Sequence, residues 1–310
     1  MKVKPTVSVL MTAFNREKYI QFAIDSVLAQ NFSDFELIVV DDCSTDNTVE
    51  IIKSICLKDF RIKLFINEHN LGDYANRKIA ASYASGKYLK YVDSDDFLYK
   101  ESLSIMVDCM DKFPTAAYAF SFRYNQIDQN PFPILFSPHQ AFTQHFFKEG
   151  FFYAGPGSSI IRRDKFMEIG GFSGKQYVGD FELWMKLSAQ YDCAVFQPGL
   201  LWWRKHEGHE FQLGEDGNHY LINNFYLVDH HLALNTCPLN KTEKEIAFLI
   251  QKSNYIRNIL HNYIYKNFKI NALYSLLRQY HFNLFDVIIS FIPIRFYIKK
   301  YQKKVTNYYQ

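Results

Sequence analysis

The sequence predicts an α/β protein, with a mainly parallel sheet flanked by helices and a helical C-terminal extension. Three observations carry that expectation. Through residue 125, short apolar runs alternate with segments of helical spacing, the pattern of consecutive βαβ units. Apolar residues make up 48% of the 310 positions, ample material for a large core. From about residue 219 the spacing is helical to the end, broken only at Pro238 and Pro293.

The elements follow in order. Val7 to Met11 reads as a buried strand, and Ile20, Ala23, Ile24, Val27 and Leu28 form the stripe of a core-facing helix. Glu36 to Val40 is the second strand. The Ser44-Thr45-Asp46 cluster offers a start for a second helix with Val49, Ile52 and Cys56 on one face. Ile62 to Ile66 predicts a third strand, residues 73–84 a helix and Tyr88 to Val92 a fourth strand. Leu103, Met106, Val107 and Met110 mark another helix, and residues 116–124 another strand. Residues 126–160 lack a steady period and read as a long excursion that ends in a flexible loop, Gly155 to Ser159. Asp164 seeds a short helix closed by the Gly170-Gly171 turn. Residues 180–190 resume a helix with Phe181, Trp184, Leu187 and Tyr191 inward.

Polar groups gather where this topology brings strand ends together. Thr12, Phe14 and Asn15 end the first strand, Asp41 and Asp42 the second. Arg77 lies in the helix after the third. Asp93-Ser94-Asp95-Asp96 ends the fourth. Carboxylates so close repel one another unless a cation lies between them, and Mg2+ or Mn2+ shares such oxygen ligands with a diphosphate. An aromatic ring can stack on a base, and arginine can pair with diphosphate oxygens. The set suits a nucleoside diphosphate and a divalent metal.

These residues resemble those of family 2 glycosyltransferases with the GT-A fold. The resemblance runs through Val7–Asn15, Phe35–Asp46, Asn70-Leu71-Gly72, Gly86-Lys87-Tyr88, Asp93–Asp96 and Asp180–Trp184. It covers roughly residues 5–206. It implies an inverting sugar transfer from a nucleotide-sugar, UDP-linked by expectation, to a hydroxyl of a glycan or lipid-linked acceptor. Thr12, Phe14, Asn15, Asp42, Arg77, Asp93 and Ser94 would then bind the nucleotide, Asp95 would ligate Mn2+ or Mg2+, and Asp180 would be the base. Glu182, Trp184, Arg204 and His206 are candidate diphosphate or acceptor contacts. The resemblance also implies a catalytic domain over residues 1–215, with a nucleotide half to about 125 and an acceptor half beyond. A helical region, 216–310, follows. Cys43 stands where the family commonly has glycine, a place where positive φ can be required.

Other readings of the same residues are weaker. For Asp46 the turn role is the expected one, whereas for Asp180 a simple helix cap is the weaker reading. Ser158 and Ser159 lack triad partners. His206-Glu207-Gly208-His209 lacks the spacing of a zinc protease. A sugar-phosphate nucleotidyltransferase would want a glycine-rich loop after the first strand, and Thr12-Ala13-Phe14-Asn15-Arg16 has none. An inactive glycan-binding or scaffolding subunit would not need Asp42, Asp95 and Asp180 together. Five cysteines without a C-x-x-C pair argue against a disulfide framework or structural zinc and predict a reducing, cytoplasmic setting. From residue 241 twelve Lys/Arg face three Asp/Glu, a net +9 that leaves −6 for the first 240 residues. A basic tail suits an anionic partner. Residues 284–304, apolar and then basic, predict peripheral contact with the inner face of the cytoplasmic membrane, or packing in a homo-oligomer. No nucleic-acid partner is expected.

Overall fold

The computed structural model describes residues 4–121, 131–148, 150–206, 219–265, 278 and 282–291. Two compact units emerge. The first takes in residues up to 141 and 151–213, the second 142–150 and 214–310. The sequence places the boundary near 215, and the structure adds 142–150 to the helical unit.

In the first unit, β1 (Val7–Ala13), β2 (Phe35–Asp41), β3 (Ile62–Ile66) and β4 (Tyr88–Tyr91) alternate with α1 (Ile20–Leu28), α2 (Thr48–Cys56) and α3 (Asp73–Tyr83). After β4 come β5 (Phe97–Leu98), α4 (Ser102–Lys112), β6 (Ala116–Ser121), β7 (Ile134–Phe136) and α5 (Pro138–Phe147), whose residues from 142 on belong to the second unit. They are followed by β8 (Ser159–Arg162), α6 (Arg163–Glu168), α7 (Gly179–Ser188), β9 (Asp192–Phe196) and β10 (Leu201–Trp202). Among the described residues the main sheet has the order β3-β2-β1-β4-β8-β6-β9-β7. β1 runs parallel to β2 and β4, and β2 to β3. Every residue of β2 is buried, as expected of a parallel strand covered by helices on both faces. β1, α1, β2 and α4 supply most of one continuous apolar core.

Three local expectations change. The second helix begins at Thr48 because the preceding polar cluster is used elsewhere. Ser44 bonds to the Asp41 carboxylate, and Asp46 accepts the amides of Glu17 and Thr48, the turn role expected of it. The Gly155–Ser159 segment is not an open loop. It closes as a 3-10 turn and then enters β8, which lies antiparallel between β4 and β6. Tyr191 falls beyond the end of α7, half-exposed, with the Lys165 ammonium 4.6 Å from its ring centre. Residues 122–124 of the predicted fifth strand lie outside the described residues.

The second unit holds α8 (His219–Ala233), α9 (Lys241–Tyr265) and α10 (Leu284–Ser290). Phe225, Tyr255 and Ile259 form its small aromatic-aliphatic core, with Phe248 and Phe282 against it. Asn283 and Asp286 form a reciprocal cap on α10, and Lys252 of α9 pairs with Asp286 at 2.7 Å. Phe285, Ile288 and Phe291, three residues apart, remain exposed. Among the described residues no helix is long and apolar enough to cross a membrane. Residues 292–304 of the predicted membrane contact lie outside the described residues.

A buried carboxylate ties the strands together at the end away from the acidic cluster. Glu36 accepts from the Ser8 hydroxyl, from the Ser85 amide and hydroxyl, and from Lys63. Burial alone would raise its carboxyl, but these donors outweigh burial and hold it down at about 2. A folded pKa below the unfolded value adds stability above the ordinary carboxylate range that is lost as pH falls through it. Glu36→Gln should therefore flatten the fall in Tm between about pH 5 and 3, with about 2 kcal/mol of pH-dependent stability removed over that range. Thermal melts of the two proteins across that range measure it.

Candidate active site

The chain leaves β1 toward β2 and β3 on one side and returns to β4 on the other, so the sheet reverses its strand order beside β1. Loops from neighbouring strand ends part there and leave a crevice. Two of them are laced together. The Asn15 amide donates to the Ser44 hydroxyl at 2.9 Å, and the Thr45 amide donates to Asn15 Oδ1 at 2.8 Å. Asn15 and Cys43 both take left-handed backbone angles, φ 53° and 66°, so the glycine-like conformation expected at Cys43 is present. Phe14 presents its ring at the rim and Thr12 is half-buried. Asp42 is buried and accepts from Asn67 Nδ2 at 2.7 Å and from the Gly72 amide at 2.9 Å. It thereby anchors the loop that enters α3.

At the end of β4 the chain turns sharply, with the Asp96 amide bonded to the Asp93 carbonyl. Arg77 lies buried beneath and pairs with Asp73 and Asp93, each at 2.8 Å. Asp95 Oδ2 accepts from Arg16 Nε at 3.1 Å and sits 3.0 Å from His206 Nε2. Arg204 closes the other side, its amide donating to Asp96 at 3.0 Å and its Nε to the Asp95 carbonyl at 2.8 Å. Ser94 is buried within this turn. Burial, and then repulsion from Asp93 and Asp95, push the Asp96 carboxyl well above the usual carboxylate range. Lys90 has no solvent exposure, and its ammonium donates to the Gly157 carbonyl. Burial draws its amine down to about 7, a fall that Asp93 and Asp96 partly oppose.

The donor set fits a divalent cation. Among the described residues no three acidic, histidine or cysteine side chains converge as ligands. Asp95 and His206 do converge, and a carboxylate with an imidazole suits Mn2+ when diphosphate oxygens complete the shell. Burial first, and then repulsion from Asp93 and Asp95, raise the Asp96 carboxyl, and such an ion would offset the repulsive part.

The candidate base stands at the start of α7. A Cβ on Gly179 would lie 2.5 Å from the Tyr74 ring, so glycine is what lets Tyr74 lie against this helix end. The Tyr74 hydroxyl and the Phe181 amide, 2.8 Å away, both bond to Asp180. Burial outweighs them and Arg77, and raises the carboxyl to about 6. Tyr74 and Arg77 therefore join Asp180 electrostatically to the acidic turn. Glu182 differs. It is buried against Ser173, Lys175 at 2.8 Å and Lys186 at 3.3 Å, whose attraction overcomes burial and keeps its carboxyl low.

Of the residues expected to touch ligand, Trp184 is a correction. Its indole is enclosed, stacked on Tyr118 at 4.8 Å, and donates to the Ala154 carbonyl at 2.6 Å. Four groups of this site were not anticipated. Lys90 had a visible signal, a charge inside an apolar strand, and Asp96 was adjacent to the residues singled out. Arg16 and Tyr74 had no distinguishing sequence context. Glu207 to His209 lie outside the described residues.

The profile of Glycosyl transferase family 2 matches residues 8–170, and the chain belongs to that family. An uncharacterized glycosyltransferase of Haemophilus influenzae is 24% identical over 96% of this chain and 97% of its own. The Escherichia coli UDP-Glc:alpha-D-GlcNAc-diphosphoundecaprenol beta-1,3-glucosyltransferase WfgD is 40% identical over 34% of this chain and 41% of its own. Three other curated relatives are matched over only 17% to 42% of their length. The fold is similar to that of S. aureus TarS 1-349 in complex with UDP, with TM-score 0.64 and 20% identity. That match covers 94% of this chain and 81% of TarS 1-349.

The raised Asp180 carboxyl has a cost for the fold. Its folded form holds a proton more tightly than its unfolded form, so stability present below about pH 4 is lost as pH rises through 6. At pH 7.5, Asp180→Asn should raise Tm by an amount equivalent to about 1–2 kcal/mol, allowing for the carboxyl's partly exposed edge. At pH 4 the two proteins should melt alike, which calorimetry at both pH values checks.

Proposed function

We propose that this protein is an inverting hexosyltransferase that moves a sugar from a UDP-linked donor to a hydroxyl of a lipid-linked glycan. The observation that carries the reading is a carboxyl at the start of α7, Asp180, bonded by the Phe181 amide, raised by burial and joined through Tyr74 and Arg77 to the acidic turn. One base and one displacement suffice for inversion. Phe14 would stack on the base, with Thr12, Asn15 and Asp42 bordering the nucleoside pocket. Asp93 and Ser94 would meet the ribose and diphosphate, with Arg77 holding Asp93 in place. Arg16 and Arg204 would offset the charge that develops on the leaving group.

A divalent cation at Asp95 and His206 would supply Lewis-acid stabilisation of that leaving diphosphate. Asp180 would accept the acceptor hydroxyl's proton as its oxygen attacks the anomeric carbon from the face opposite the diphosphate. A pKa near 6 leaves most of this base ionised at neutral pH. The lipid-linked acceptor is supported by the name of the WfgD relative, which prints a diphosphoundecaprenol acceptor. We place the reaction at the inner face of the cytoplasmic membrane, where the exposed Phe285, Ile288 and Phe291 of α10 support peripheral contact.

Asp180→Asn should keep UDP-sugar affinity while transfer falls about 10²–10⁴-fold, the usual contribution of a general base. Product NMR should show an inverted linkage; retention, or a loss under tenfold, would overturn the assignment. The same assay tests the acidic turn. Asp95→Asn should abolish the stimulation of UDP binding by Mn2+ in calorimetric titrations, and stimulation by Mn2+ that survives unchanged would remove Asp95 from the ligand set.

A further inference from the structure

One short stretch of backbone is held from both halves of the active site, and the mechanism above does not use it. Residues 154–158 run into a 3-10 turn at Pro156–Ser158. At one end the Trp184 indole, on the helix that carries Asp180, donates to the Ala154 carbonyl at 2.6 Å. At the other the Lys90 ammonium donates to the Gly157 carbonyl from inside β4, the strand that leads into the acidic turn. Lys90 has no exposed surface, so no water can replace that bond if it is lost. A Cβ on Gly157 would lie 3.0 Å from Leu201 and 3.9 Å from the Asp96 carboxylate, which puts the turn beside the acidic cluster.

The two glycines of this stretch differ in what they answer to. At Gly157 packing requires glycine, because a side chain would crowd Leu201. Gly155 is exposed, with φ −71° and ψ 157°, angles open to any residue. A Cβ there would meet nothing within 4 Å. Neither backbone geometry nor packing within the chain accounts for glycine at 155, whereas room for a ligand does. The stretch from Ala154 to Ser159 carries no charged side chain, only hydroxyls and peptide groups of the kind that bond sugar hydroxyls. The Ser158 hydroxyl donates to the Gly155 carbonyl at 2.8 Å, so its oxygen can still accept from a sugar. Position says which sugar. In an inverting displacement the transferred ring lies between the base with its acceptor and the leaving diphosphate. A segment anchored to the base helix and to the acidic turn spans that interval.

We propose that the turn at residues 154–158 walls the recess for the transferred sugar, with Gly155 setting the room and Lys90 positioning the turn. The sugar it fits is uncharged, a hexose or an N-acetylhexosamine. The inference rests on the proposed direction of transfer and deepens it by assigning donor-sugar selectivity to named residues. Lys90 touches no substrate and acts through the Gly157 carbonyl.

The test uses the full chain and reads binding rather than transfer. UDP, UDP-glucose, UDP-galactose and UDP-N-acetylglucosamine are titrated calorimetrically in the presence of Mn2+. Gly155→Leu should leave the Kd for UDP within about twofold and weaken the best-bound UDP-sugar about tenfold, the scale of a misfit in a fitted pocket. Its Tm should stay close to that of the unmodified protein, because the new side chain displaces no neighbouring atom at its Cβ. Lys90→Met keeps the length of the side chain and removes the bond. It should weaken the same UDP-sugar relative to UDP about fivefold, and the ratio cancels any common change in nucleotide affinity from the lost charge. Should Lys90→Met fail to fold, the Gly155→Leu titrations still decide whether the turn walls the sugar. Equal weakening of UDP and all three UDP-sugars in Gly155→Leu, or no weakening of any, would overturn the proposal. An unchanged ratio in Lys90→Met would overturn the positioning role. Failure of the unmodified protein to bind UDP at all would instead overturn the donor assignment on which this site rests.

Discussion

Repulsion among the carboxylates at the end of β4 is the constraint on which the rest of the catalytic unit depends. Asp93, Asp95 and Asp96 occupy one tight turn, and Asp73 and Asp180 lie within electrostatic reach through Arg77. In water such crowding would be tolerable. Here burial makes it costly, and the chain answers with cations from several elements. Arg77 rises from α3 beneath Asp93, Arg16 reaches from the loop after β1 to Asp95, and Lys90 lies inside β4 itself. These cations do not cancel the acids fully. Burial, with repulsion from Asp93 and Asp95 added to it, keeps the Asp96 carboxyl high, and the turn is suited to a cationic ligand.

The same cations fix the geometry of the surrounding segments. Because Lys90 bonds to the Gly157 carbonyl, the segment before β8 is held against the end of β4. Trp184 holds the same segment three residues earlier, at Ala154, from the helix whose first turn carries Asp180. The candidate base and the acidic turn are thus referred to one stretch of backbone as well as to Tyr74 and Arg77. Neutralising a charge in this network would move atoms as well as fields, which is why conservative amide substitutions are the informative ones.

Much of this was legible in the sequence, for identifiable reasons. β1 to β4 and their helices could be read because each buried strand is a continuous apolar run and each helix shows one apolar stripe. Asp93, Asp95 and Asp180 stood out as carboxylates at element ends. β8 could not be read this way. It lies far along the chain from the strands it separates, and its insertion between β4 and β6 is set by tertiary packing rather than by local pattern. At Trp184 periodicity was right and the motif misled, since the ring lies in the core stripe and its indole N–H is bonded within the fold. Arg16 was missed because an arginine in a polar loop carries no sign of its partner 79 positions away.

Asp180 shows why such a site resists being read from stability alone. A carboxyl placed at a helix start ordinarily helps the fold, because free amides and the helix dipole favour its charge. Here the Phe181 amide and the Tyr74 hydroxyl supply that help, and burial still prevails. A group retained only for capping would sit where its charged form is favoured. Glu182, two residues on, sits where its charged form is favoured, with two lysines and a serine holding its charge in place. The contrast between two carboxylates on one helical turn separates roles that the sequence leaves side by side: one is settled by its neighbours, and the other is left ready to take a proton.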